Sequence, residues 1–456
     1  MMAGDTALRS KHRSSRSPEF PPPQEPAERK ITDAPPLDPS ESPPGRAGPE
    51  PPITPSPRSL RGLDWFVFFV ADVQTGFGPF VSVYLTAQKW TQVDIGLVLS
   101  AAAFASLIGQ MPGGALVDAA KSERFVAGCA IVAICMSALT YAALPMFTIV
   151  FAGSVVHALA SCVLGPAMAA ISLGLVGPGA IGARLGRNAR FASVGNGLAA
   201  AAMGACGYLL SPRSVFVVTV LLLVPALIAL REISNSEIDA DRAHGAKPRR
   251  AKIKPPIKAS ELLQNTPLLI FAGCLLLFHL GNSAMLPLVG SAVTMHSSQW
   301  ATLIIAACIV VPQLLVAALS PLVGVKAQTW GRRPLLLIGF AALPVRGFLF
   351  AVGTDPMFLL AVQIFDGITA AVFAVMVPLV VSDLTRGTGR FNLGQGILGT
   401  ATGIGASLSA TLGGYVTDRF GTSAAFAGLA VIGAAGFALV ALLMPETRPP
   451  EREPEE

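Results

Sequence analysis

Between Leu63 and Met444 the chain repeats one theme: an apolar run, then a short connection. The runs are roughly 18 to 27 residues long, enough for a helix rising about 1.5 Å per residue to cross about 30 Å of hydrocarbon. Twelve can be placed, in two sets. The first set covers 62–86, 93–117, 125–144, 147–174, 191–210 and 214–230, and the second 267–291, 300–324, 334–353, 356–381, 393–414 and 423–444. This recurrence predicts an all-α polytopic membrane protein of twelve transmembrane helices. Composition agrees, because 52% hydrophobic and 13% charged residues leave too little polar surface for one or two soluble domains.

The charges fall mainly outside the runs. With the N-terminus inside, the connections after runs 2, 4, 6, 8 and 10 hold eighteen arginines and lysines, against three on the other side, Lys89, Arg213 and Arg419. Such a bias predicts that both termini are cytoplasmic. The net charge of +6 is therefore read as topology and not as a nucleic-acid surface. Alanine, glycine, arginine and proline are abundant and lysine scarce, a bias that points to a GC-rich bacterium, and with the apolar runs it predicts a multi-pass protein of a bacterial inner membrane.

Five segments follow. Residues 1–58, with 15 of the 37 prolines, read as a disordered cytoplasmic tail. Residues 59–230 and 267–445 are two six-helix bundles, 231–266 is a basic cytoplasmic linker, and 446–456 is a short cytoplasmic tail. The bundles look duplicated: Arg190-Phe191 opens run 5 and Arg390-Phe391 opens run 11, each followed by Gly- and Ala-rich sequence. All six cysteines lie inside apolar runs without CxxC spacing, so no metal or disulfide framework is expected. Neither HExxH nor GxSxG occurs, which argues against an enzyme, and no cofactor motif is found.

Two connections carry a motif. After run 2 the chain reads Gly113-Gly114-Ala115-Leu116-Val117-Asp118, then Lys121 and Arg124, and after run 8 it reads Gly331-Arg332-Arg333-Pro334. The pair resembles the two copies of the major facilitator superfamily loop signature, GxLxD followed by a Gly-Arg-Arg or Gly-Arg-Lys turn. The first copy departs at Lys121 and Ser122, and the second keeps Gly324 but has Lys326 and Gln328 for leucine and aspartate. The resemblance implies two pseudo-symmetric six-helix bundles rocking around a central site, with Gly114, Asp118, Arg124, Gly331, Arg332 and Arg333 as a cytoplasmic gate. For Asp118 the expectation is a charge cluster with the cationic loop; the alternative is that these charges only end helices and fix topology. A helix 4 arginine and a helix 5 Gly-Pro pair, found in some proton-linked and drug-exporting members, are absent.

Ionisable groups deep in hydrocarbon are costly, which makes each a candidate. Asp72, His157, His279 and Asp366 lie near the middle of runs 1, 4, 7 and 10. The resemblance makes those four helices the cavity lining. Asp72 is the preferred proton carrier, against permanent pairing with Arg346 or a bond to Gln74. Asp366 and Arg346 are expected as a buried pair, either structural or functional. Asn282 follows His279 by three residues and shares its helix face. Phe77, Phe80, Tyr84, Met285 and Met376 read as packing more than as a substrate cage.

The expected activity is secondary active transport of a small solute, proton-coupled, with efflux of an amphipathic compound favoured over uptake of a small organic acid. A monomer in the lipid bilayer is expected. A non-transporting sensor or assembly protein of the same fold is the alternative of a different class.

Overall fold

The computed structural model describes residues 54–75, 78–211, 213–246, 258–296, 301–353 and 355–449. The proline-rich tail up to residue 53 and the basic stretch 247–257 lie outside them. The described residues form helices and no strand: α1 (Pro57–Thr75), α2 (Gly78–Ala87), α3 (Gln92–Asp118), α4 (Glu123–Ala143), α5 (Phe147–Leu209), α6 (Ser214–Glu232), α7 (Ala240–Ala243), α8 (Ala259–Leu262), α9 (Thr266–Asn282), α10 (Met285–His296), α11 (Ala301–Thr329), α12 (Arg333–Val352), α13 (Pro356–Leu384), α14 (Phe391–Phe420) and α15 (Thr422–Leu443).

Starts are set by local chemistry. Thr91, Ser122, Asn265 and Asp355 each accept a backbone N–H from the first turn of the following helix, filling part of its unpaired donor set. Nine helices among the described residues are long and apolar enough to cross a membrane. One of these, α5, has 63 residues, too many for one pass at about 1.5 Å per residue. It breaks at Gly177, whose φ of 70° and ψ of 175° leave the helical region just before Pro178. The pairs α1/α2 and α9/α10 each supply one pass in two pieces, and α14 supplies 30 glycine-rich residues. Grouped this way, the helices are consistent with twelve passes.

Residues 175–190 were expected as a cytoplasmic loop, but they are helical apart from the break at Gly177. Pro178 begins the new segment with φ already fixed near its helical value, which lets the chain turn without a loop.

Burial divides into two main cores. One draws on α1 to α6, with Leu63, Phe66, Ile131 and Phe216 fully covered. The other is built mostly from α9 to α15, around Phe271, Phe340, Leu379 and Phe426, and takes in Leu173 and Leu185 of α5. Outward-facing residues are also apolar, as with Phe104, Leu221, Phe348 and Val431. A surface of that kind suits hydrocarbon as its solvent. Helices α3 and α14 pack together, as do α5 and α11. Small residues permit this, since a Cβ added at Gly324 of α11 would lie 2.3 Å from the Gly182 carbonyl oxygen of α5.

Candidate functional site

The loop motif is best understood from helix ends. The first turn of α14 has no side-chain cap of its own, because Arg390 at its N-cap makes none. Asp118, the last residue of α3, fills that role across the interface. Its Oδ1 accepts from the backbone N–H of Asn392 at 3.1 Å and from Asn392 Nδ2 at 2.9 Å, and its Oδ2 accepts from the Leu393 N–H at 2.8 Å. A carboxylate here satisfies unpaired donors and meets the positive end of the helix dipole. Gly114, one turn earlier, lets the backbones touch: a Cβ there would stand 2.1 Å from the Asn392 carbonyl oxygen. So Asp118 is held by neutral N–H groups of the facing helix, where a cationic loop had been expected. Among the described residues Arg124 makes no ion pair, and it lies instead along a groove between α4 and α6. The reason is rotation. Arg124 follows the buried Glu123 by one position, about 100° around α4, and so faces away from it.

Residues 243–245 wedge into the same joint. His244 Nε2 lies 3.0 Å from the Glu123 carboxylate at the start of α4. The His244 carbonyl accepts from the Phe391 N–H at 3.1 Å, and the Gly245 carbonyl from the Gly387 N–H at 2.6 Å. This segment therefore reaches the start of α4 on one side and α14 with its preceding turn on the other. Burial alone would lower the His244 pKa, but the Glu123 hydrogen bond and the charges of Glu123, Asp118 and Asp241 outweigh it, and the pKa is raised.

The second motif copy is built differently. Gly331 has φ of +93°, and a Cβ on it would meet Glu446 Oε2 at 2.5 Å. Glu446, just past α15, accepts from the backbone N–H groups of Arg332 at 2.8 Å and Arg333 at 3.0 Å, capping α12. The buried Arg332 side chain bonds Asp383 of α13 at 2.9 Å and the Ala327 carbonyl at 2.5 Å. Burial would raise the Glu446 pKa, but the N–H groups of Arg332, Arg448 and Arg333 prevail and hold it below the usual carboxylate value.

In the apolar zone Arg346, 3% exposed, pairs with Asp366 and donates to Asn282 Oδ1 at 2.8 Å, which joins α12, α13 and α9. His279 is half-buried beside Phe278, and His157 is half-buried on α5. Asp72 belongs to α1, but its side chain lies outside the described residues, as do those of Gln74, Phe77 and Phe80. Tyr84 is buried with its hydroxyl on the Tyr141 carbonyl at 2.7 Å, and Met285 and Met376 are fully covered.

A cavity of about 390 Å³ lies between α1, α3, α5, α13 and α14. Its walls are apolar, with Gln110, Asn188, Gln395 and Thr402 as neutral polar groups. None of His157, His279, Asn282, Arg346 and Asp366 is among its described lining residues.

One network escaped the sequence reading. Asp64 of α1, 2% exposed, binds both Arg184 and Arg187 of α5, the latter through Nη2 at 2.6 Å. Arg184 Nε donates to Asn188 Oδ1 at 2.7 Å, and Asn188 in turn donates to Ser172 at 2.8 Å. Both arginines fall in the connection after run 4, where the charge bias reads them as loop residues. The signal available was spacing, because 184, 187 and 188 stand at i, i+3 and i+4 and share one helix face.

These features describe a helical membrane carrier with a pocket at the seam between its packed halves. A sequence model of the Major Facilitator Superfamily matches residues 65–312 and 280–456. An uncharacterised MFS-type transporter of Mycobacterium tuberculosis is 39% identical over 396 residues, 86% of this chain and 94% of the relative. Multidrug resistance protein 1 of Bacillus subtilis is 28% identical over 195 residues, 42% of this chain and 48% of that protein. Among solved structures, the human organic anion transporter MFSD10 (TETRAN) superposes with a TM-score of 0.64 at 16% identity, covering 86% of this chain and 100% of that one. The chain belongs to the Major Facilitator Superfamily.

Proposed function

We propose that this protein is a proton-coupled secondary transporter that exports a small amphipathic solute across a bacterial inner membrane by alternating access. The observation that carries the reading is the cavity: about 390 Å³, apolar, dotted with neutral amides and bounded by helices from both halves. Such a lining suits a solute recognised by shape and a few hydrogen bonds. Two bundles, 59–230 and 267–445, rock about it, with the linker 231–266 and both termini on the cytoplasmic side. In this reading the joint of Asp118 with α14 and the close contact of α5 with α11 hold the cytoplasmic end shut in an outward-facing state. The partial likeness to a multidrug resistance protein supports export. Uptake of a small organic acid ranks second, because Arg346, the cation that would receive it, is already engaged by Asp366 and Asn282.

Asp72 is assigned the proton. A carboxyl buried in hydrocarbon has its charged form penalised, so it can gain and lose a proton as access alternates. The test is the pH inside proteoliposomes carrying wild type or Asp72→Asn as amphipathic cations and small organic acids are added outside. Solute-dependent proton flux in wild type, abolished in the variant, is the expected result. Solute movement without proton flux in wild type would exclude the coupling.

A further inference from the structure

A second cavity, of about 610 Å³, opens between the first half of α4 and the last turns of α6. It shares no lining residue with the central one. Its floor and walls are apolar, formed by Phe125, Gly128, Val132 and Leu227, and its end carries Arg124 and Arg231. Gly128 keeps the groove open, since a Cβ there would meet only Leu230, at 3.5 Å. Phe125, 72% exposed, and Val132, 38% exposed, mark its rim as a surface turned outward from the helix packing.

The two arginines have no anionic partner among the described residues. Neither forms an ion pair, and Arg124 Nε is buried without a hydrogen-bond acceptor. Nearby polar groups are already occupied with each other, as Ser122 donates to Asn235 Oδ1 at 3.0 Å. A buried guanidinium N–H next to hydrocarbon finds no water to replace the missing acceptor. The groove thus offers an apolar trough ending in two cations, at the depth where a helix leaves the bilayer.

We infer that this groove binds one anionic phospholipid of the adjacent leaflet, with its phosphate on Arg124 and Arg231 and one acyl chain lying along Gly128, Val132 and Leu227. The charge complement selects the lipid class: phosphatidylglycerol presents a net negative headgroup, whereas phosphatidylcholine cancels its phosphate with an ammonium. Guanidinium forks match phosphate oxygens in geometry as well as in charge. The inference rests on membership of a membrane transporter family and is independent of substrate, proton coupling and direction.

Native mass spectrometry of the full-length protein in detergent, titrated with phosphatidylglycerol or phosphatidylcholine of the same acyl chains, tests it. Wild type is expected to retain one phosphatidylglycerol at least tenfold more tightly. Arg124→Gln and Arg231→Gln should each weaken it about fivefold, and the double variant should bring it close to phosphatidylcholine. Arg213→Gln, at the opposite end of α6, should leave it unchanged. Gly128→Leu fills the trough without touching charge and should weaken both lipids. Should the double variant fail to fold, alkylation of Cys129 in wild type decides. This exposed cysteine lies on the groove wall, and phosphatidylglycerol but not phosphatidylcholine should protect it from N-ethylmaleimide. Equal retention of the two lipids by wild type, or undiminished preference in a folded double variant, would overturn the inference. Unprotected Cys129 would do the same.

Discussion

Asp118 exerts its effect through two oxygens, and an amide supplies only one. Asp118→Asn loses the charge at the α14 dipole and one of the accepted N–H bonds, a cost of about 1–2 kcal/mol. Hydrogen exchange at the amides of Asn392 and Leu393 should speed up about 5- to 30-fold, while Arg124→Gln leaves them unchanged. For His244 the pKa is raised in the folded protein, so its contribution is full below the unfolded value of about 6.5 and is lost as pH rises through the folded value. The stability gap between wild type and His244→Gln, measured by thermal unfolding from about pH 6 to pH 9, should therefore narrow on the alkaline side. Asp366→Asn strands the buried Arg346 and should cost about 3–5 kcal/mol. Adding Arg346→Met should restore much of that, as read from unfolding midpoints; a double variant no better than the single one would show that the pair does more than neutralise itself.

Among the elements, the break in α5 and the seams α3–α14 and α5–α11 decide how the halves meet. A methyl group at Gly324 has nowhere to go, since Gly182 presents backbone and not a flexible side chain. Gly324→Ala should force α5 and α11 apart at a cost of about 1–3 kcal/mol. Spin labels at Lys121→Cys and Arg386→Cys would show the result as a growing long-distance population. The helices themselves were legible from run length and hydropathy, because a span must be apolar along its whole length whatever it packs against. Their continuity was not. Gly177-Pro178 reads as punctuation, and nothing local says that helix resumes at once, so Arg184 and Arg187 passed for loop charges. The partner of Asp118 was hidden for a related reason: an uncapped helix start 274 residues away has no signature in the motif itself.

For the whole molecule, sequence reached the helical membrane fold because the bilayer imposes apolar length on every span alike, and the family through the paired loop motif. It reached less of the candidate site. Arg346 and Asp366 meet as a pair of opposite charges in an apolar zone would, and Asn282 joins them unannounced, but the cavity is walled by residues such as Gln110, Asn188 and Gln395 that carry no charge to betray them. Replacing Ala374, an exposed residue on the cavity wall, by Trp should abolish solute transport without lowering the unfolding midpoint by more than a few degrees, a test of the cavity that does not depend on the proton carrier.

The wedge at residues 243–245 also has an order in time. It leaves the ribosome before Gly387 and Phe391 exist, and its carbonyls are the seat onto which those two N–H groups later close. The earlier half of the chain thus carries a template for docking the later half, and the sequence of synthesis becomes part of how the carrier is assembled.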